Sequence, residues 1–199
     1  MKKTRIISFG IIVMLLVQLC SFSTVYAGKN EEEGIAILKK MGVVTEQDIE
    51  NQGQYVSRAK FTYYASKVLG IFGVDNKMYF RDLPVDHWAN PHVSALVEYG
   101  VIDTSEDGMF NPDSPVTPEQ AYKIMLAGIG YREYAEYEGG GLAGYRIVAN
   151  NAGITISTQK QDSLTLNEAV EIIYNAMNIG YPQIVGAGQY ITQEVSKEH

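Results

Sequence analysis

The sequence predicts a mainly α-helical protein assembled from three helix–loop–helix repeats, and three observations carry that prediction. One helix-start design recurs at Val56-Ser57-Arg58-Ala59-Lys60-Phe61, Val116-Thr117-Pro118-Glu119-Gln120-Ala121 and Leu164-Thr165-Leu166-Asn167-Glu168-Ala169. An apolar stretch at helical spacing follows each start, with Ile124, Met125 and Ile129 in the second copy and Val170, Ile173, Tyr174 and Met177 in the third. A helical segment that stops at a glycine precedes each start, at Gly42, Gly100 and Gly153. Recurrence of one small unit is the mark of a repeat architecture, in which each copy has an apolar face that only its neighbours can cover.

The chain opens with Lys2, Lys3 and Arg5, then an almost wholly apolar run over residues 6–19. Val25-Tyr26-Ala27 places small residues at the minus-three and minus-one positions of a cleavage site. Residues 1–27 therefore read as a cleaved signal peptide. The alternative, an uncleaved anchor, has to make a bilayer span from a short run that gives way at once to Cys20-Ser21-Phe22-Ser23-Thr24. Cys20 also raises lipid attachment, but that signal wants a small residue just before the cysteine, and Leu19 stands there. A cut after Ala27 leaves residues 28–199 without cysteine, which excludes disulfides, thiol nucleophiles and thiolate metal sites. It also removes three basic residues and no acidic ones, so the formal charge of −7 becomes −10. Nucleic acid is a poor partner for such a chain, because that binding rests on counterion release by Lys and Arg.

The first repeat, residues 28–77, has a helix over 35–41, the stop at Gly42, a loop, the Ser57 cap and a helix over 61–71. In the second, residues 78–132, a helix over 93–99 stops at Gly100, and Asp107-Gly108 makes a tight turn that lets Phe110 point inward. Thr117 then caps a helix over 121–131, with Pro118 at the first helical position, where its missing N–H costs nothing. The third, residues 133–180, begins with Gly139-Gly140-Gly141, read as a flexible joint. A helix over 145–152 follows, then Gly153, the Thr165 cap and a helix over 169–179. The glycine-to-cap spacings are 15, 17 and 12, so the loops vary more than the helices. Gly70, Gly130 and Asn178 fall at matching places near the ends of the capped helices, as residues that tolerate a left-handed cap. Residues 181–199 read as a tail or as the start of a region not present here.

These residues resemble the S-layer homology domain. Phe80-x-Asp82, His87-Trp88-Ala89, Gly100-Val101-Ile102, Asp107-Gly108-x-Phe110-x-Pro112-Asp113 and Val116-Thr117-Pro118-Glu119-Gln120-Ala121 stand in that family's order and spacing. The likeness runs over about residues 34–180 as three divergent copies and is most specific in the middle one. It implies a pseudo-threefold arrangement around a central helical bundle. It further implies grooves between repeats that take secondary cell-wall polymer, often with pyruvylated sugar ends.

Residue by residue, the resemblance makes Arg58, Asp82 and Trp88 the polymer-binding candidates. An arginine fork suits a ketal carboxylate, but the matching positions are Pro118 and Leu166 in the other copies, so at most one groove looks fully equipped. Each candidate also has a bland role: Arg58 as a solvated surface residue, Asp82 as a cap on the turn at Pro84, and Trp88 as a core anchor. The implied function is non-covalent attachment of a secreted protein to the wall of a Gram-positive-type bacterium. Peptidoglycan-linked glycan is a second candidate ligand, and an additional protein partner stays open. The alternative is a degenerate structural or protein-interaction module that binds no glycan.

Other motifs are weaker. Asp103-x-Ser105-x-Asp107-Gly108 opens like a calcium loop, but Ser114 stands where the closing Glu belongs, so it reads as a turn. His87, His92, Asp82 and Asp86 lack any zinc spacing. No nucleophile is paired with a base, and the expectation is a non-enzyme without cofactor or metal.

Overall fold

A computed structural model describes residues 31–154, 156, 162–179, 182–186 and 189–192. The expected signal peptide at 1–27 lies outside the described residues. The described chain is mainly helical. Residues 31–40 form α1, followed by α2 (Glu46–Glu50), α3 (Arg58–Leu69), α4 (Asn90–Glu98), α5 (Pro118–Gly128), α6 (Arg132–Tyr137), α7 (Gly141–Asn151) and α8 (Leu166–Asn178). Two strands, β1 (Pro182–Gly186) and β2 (Gln189–Thr192), pair as an antiparallel ribbon inside the segment read as a tail. None of the described helices is long and apolar enough to cross a membrane.

The capped helices start three residues earlier than their apolar spacing suggested, because the hydroxyl residue is itself the cap. Ser57 Oγ accepts the Lys60 N–H at 3.2 Å, and Thr117 Oγ1 accepts that of Gln120 at 3.3 Å. Gln120 reciprocates by accepting the Thr117 N–H at 3.2 Å, which completes a capping box. At the third start the Glu168 carboxylate accepts both the Thr165 N–H and its hydroxyl at 2.8 Å.

The glycine stops share one geometry. Gly42, Gly100 and Gly153 have φ of 68°, 68° and 72°, and the residue after each donates back to the carbonyl of Leu38, Leu96 and Ala149. That six-to-one bond at a left-handed glycine satisfies a carbonyl the helix end would otherwise leave open. Asn178 departs from expectation: it remains helical, donates its side-chain amide to the Tyr174 carbonyl at 2.8 Å, and passes into extended Ile179.

Packing follows one scheme. The capped helices α3, α5 and α8 contact one another, while α4 lies on α3 and α7 on α5. Helix α1 crosses α8 so closely that a Cβ on Gly34 would sit 2.8 Å from Val170 Cγ1 and 3.2 Å from Tyr174 Cβ. The apolar residues before the three caps are tied together by backbone alone. Val56 N–H donates to Leu164 O at 2.8 Å, Leu164 N–H to Val116 O at 3.0 Å, and Val116 N–H to Val56 O at 2.9 Å. This is a closed ring of three bonds between residues far apart in sequence, with all three side chains buried.

The glycine triplet is a shaped turn, with φ of 111°, 71° and 56° at Gly139, Gly140 and Gly141. It joins the unforeseen helix α6 to α7, which begins at Gly141, four residues before the expected start. Gly144 lies against the Ala135 carbonyl, leaving no room for a Cβ.

One buried contact adds pH dependence. On α4, His92 Nδ1 lies 2.6 Å from Ser66 Oγ of α3, and its ring meets Tyr63 edge-on at 4.8 Å. Burial, helped by the nearby Lys67 ammonium, holds the His92 pKa below its usual value. A folded-state pKa below the unfolded one means that His92 favours folding fully above the unfolded value. The contribution is lost as pH falls through the folded value. The urea midpoint should therefore drop between about pH 8 and about pH 5, and drop less in His92→Gln. An equal drop in both proteins would remove His92 as a cause.

Candidate functional site

Trp88 sits just before α4, in a turn stitched from several directions. His87 N–H donates to the Pro84 carbonyl at 3.0 Å, and Ala89 N–H to His87 Nδ1 at 3.2 Å. Buried Asn90 donates its amide to the carbonyls of Lys77 and Leu83 at 3.0 and 3.1 Å, while Ser94 Oγ donates to Asn90 Oδ1 at 3.0 Å. This network fixes the backbone on both sides of the tryptophan yet leaves the side chain 53 % exposed. Trp88 is therefore not the core anchor of the bland reading. Its ring leans edge-on against Tyr63 with centroids 6.4 Å apart.

Trp88 forms one wall of a groove of about 510 Å³. Helix α2 with its flanks contributes Gln47, Asp48, Asn51, Gln54 and Tyr55 to the lining, and α3 contributes Lys60 and Tyr64. Thr45 and Asp48 make a capping box that sets α2 in place: Thr45 N–H donates to Asp48 Oδ2 at 2.9 Å, and Asp48 N–H to Thr45 Oγ1 at 3.3 Å. The other Asp48 oxygen lies 2.9 Å from Lys60 Nζ. These hydrogen bonds and the Lys60 charge outweigh burial, which acts the other way, and hold the Asp48 carboxyl below its usual value. Burial foremost, then the Asp48 carboxylate, pushes the Tyr64 phenol well above its ordinary range, so it stays protonated and acts as a neutral polar group.

Arg58 and Asp82 lie together elsewhere, at the 107–114 turn. The first free N–H groups of α3 are satisfied by that turn: Arg58 N–H donates to Ser114 O at 2.8 Å and Ala59 N–H to Pro112 O at 2.9 Å. The Arg58 guanidinium carbon stands 4.6 Å from the centre of the buried Phe110 ring. Its Nε is buried and makes no hydrogen bond among the described residues. Burial lowers its pKa, against the opposing pull of the Asp82 and Asp107 carboxylates.

Asp82 does not cap the turn at Pro84. Its Oδ1 accepts the Phe110 N–H at 2.7 Å and its Oδ2 accepts the Asn111 N–H at 2.6 Å. It thereby clamps a loop in which Asn111 is left-handed, with φ of 57°.

Arg58 also borders a second, smaller cleft of about 250 Å³, with Val101, Ile102, Gln120, Ile124 and Leu142 among its walls. Beside it Lys123 pairs with Asp103 at 2.7 Å, and Arg132 reaches the same carboxylate at 3.2 Å. Asp103 is thus engaged by cationic side chains, and Asp107 accepts the Met109 N–H at 3.0 Å, so both open carboxylates of the calcium-like stretch have partners.

Sequence reasoning singled out Trp88 but missed its groove partners Lys60, Asp48 and the amides of α2. The Thr45-x-x-Asp48 start was the one signal that pointed to α2.

Comparison with known proteins bears on the same region. Residues 79–121 match the S-layer homology domain, a cell-wall binding module and not a catalytic family. The chain is also similar to a protein named "Cell surface protein" from Thermoanaerobacter kivui, 26% identical over 85 residues, which are 40% of this chain and 11% of that protein. The chain thus spans about a tenth of that relative's length. Both likenesses fit cell-wall attachment and a cell-surface location in general terms.

Proposed function

We propose that this protein is secreted behind a signal peptide and attaches non-covalently to the bacterial cell wall by taking secondary cell-wall polymer into the groove beside Trp88. The observation that carries this reading is a tryptophan more than half exposed, its flanking backbone tied by hydrogen bonds, on a groove lined with amides and hydroxyls. Aromatic faces suit the CH surfaces of sugars, and the surrounding polar groups suit their hydroxyls. Three divergent copies related by a pseudo-threefold axis make up the body. The ring through Val56, Val116 and Leu164 and the shared glycine stops support that arrangement. Trp88 is the principal contact, Arg58 contributes from the second cleft, and Asp82 acts on binding through the loop it clamps.

Co-sedimentation with purified Gram-positive wall sacculi tests the reading. Trp88→Ala should weaken binding about tenfold. Arg58→Ala should weaken it a few-fold, with helicity by circular dichroism unchanged in both. Equal binding by wild type and Arg58→Ala would remove the second cleft from the site. Equal binding by wild type and Trp88→Ala would remove the groove. No sedimentation with any wall preparation, from a folded protein, would favour a structural or partner-binding role.

A further inference from the structure

Resting on the wall-glycan reading above, we propose that the Trp88 groove grips an uncharged sugar segment and not an anionic sugar terminus. A site built for a carboxylate keeps a cation available to it. The cation lining this groove, Lys60, is already held 2.9 Å from Asp48. Asp48 in turn is fixed by accepting from the Thr45 N–H at 2.9 Å and from its hydroxyl at 2.8 Å. An arriving carboxylate would have to share Lys60 with Asp48 or draw the ammonium away from a carboxylate that its capping box holds in place. Two like charges at one ammonium disfavour each other strongly when partly sheltered from water.

The cations at and beside the second cleft are engaged as well. Lys123 and Arg132 are bound to Asp103, and Arg58 stands over Phe110 with the Asp82 and Asp107 carboxylates nearby. The chain as a whole is acidic, at −7 in the full sequence, so its long-range field repels anions.

What remains free to touch a ligand is neutral. Tyr55 and Trp88 are aromatic residues 56% and 53% exposed. Gln47, Asn51 and Gln54 supply amides; Asn51 donates one N–H to the Gln47 carbonyl at 2.8 Å and Gln54 one to Asn51 Oδ1 at 3.4 Å, which leaves each a second N–H for a ligand. Ring faces for CH surfaces, with amides for hydroxyl and acylamino groups, are the complement of a neutral sugar chain. Such sugars occur in the secondary polymer and in peptidoglycan strands alike.

The experiment uses the chain as secreted by a Gram-positive host and three sacculus preparations: native, depyruvylated, and stripped of secondary polymer. Native and depyruvylated walls should bind within about twofold of each other, with little change between low and high salt. Retained binding on stripped walls would assign the sugar to peptidoglycan strands, and loss there would assign it to the secondary polymer. Either result supports the proposal when pyruvyl removal has no effect.

A tenfold or greater loss on pyruvyl removal alone would overturn the proposal and leave the wall-glycan reading standing. No binding to any preparation would overturn both. Asp48→Asn supplies the converse test, since it frees the Lys60 charge. That variant should acquire about a fivefold preference for pyruvylated over depyruvylated wall, and lose it at high salt. A variant with matched helicity and no such preference would overturn the role given to the ion pair, and the proposal with it.

Discussion

Gly144→Ala is expected to lower the melting temperature by roughly 6–12 °C, the shift that about 3 kcal/mol produces in a chain of this size. A methyl group at this position would fall well inside van der Waals contact distance of the Ala135 carbonyl oxygen. The obstruction is backbone, so no rotamer change relieves it, and α6 and α7 have to separate. In an unobstructed helix interior alanine is favoured over glycine by up to about 1 kcal/mol, so the clash has to outweigh a gain as well. Gly53→Ala is the control, because nothing lies within 4 Å of a Cβ there and its φ is not positive. It should shift stability by about 0.5 kcal/mol or less. A Gly144→Ala protein melting with the wild type would mean that the two helices cross less closely than described.

Asp82→Ala should cost about 2–3 kcal/mol, read as a lower urea midpoint. The variant takes the acceptors from two successive N–H groups, Phe110 and Asn111, and leaves the left-handed Asn111 without its clamp. It also removes one of the two carboxylates beside the buried Arg58 guanidinium. Asp82→Asn should lose roughly half as much, since an amide oxygen accepts one N–H while its NH2 faces the other. Equal loss in both variants would shift the weight from hydrogen bonding to charge.

Elements set by local chemistry were readable from sequence. The three caps and the three glycine stops each depend on a few neighbouring residues, and each stands where the pattern placed it. Helix α2 was missed because five residues carry no apolar period; only its Thr45–Asp48 box marks it. Helix α6 buries Ala135 alone, so its sequence has no face to show. The early start of α7 was masked by Gly141, which takes a positive φ, and by Gly144, which closely approaches a different helix.

The candidate site divided along the same line. Trp88 stood out in sequence as a candidate with a core-anchor alternative, whereas Asp82 answers to amides 28 and 29 positions away. Lys60 finds its carboxylate across a loop, and neither pairing leaves a mark in composition or spacing.

The backbone ring of Val56, Val116 and Leu164 also governs when the protein can form. Its last member stands at position 164, so no nascent chain can close the ring until Leu164 has been made. Before then the Val56 N–H has no acceptor and the Val116 carbonyl no donor, and both sit where water is excluded in the finished molecule. Such long-range closure is slow in entropic terms and arrives all at once. A middle segment cut out alone, such as residues 79–121, keeps its cap and turns but forfeits both ring partners of Val116, Val56 and Leu164. The stretch from Val56 to Leu164 is therefore expected to close as one unit, and a chain interrupted before Leu164 to be more open to proteolysis.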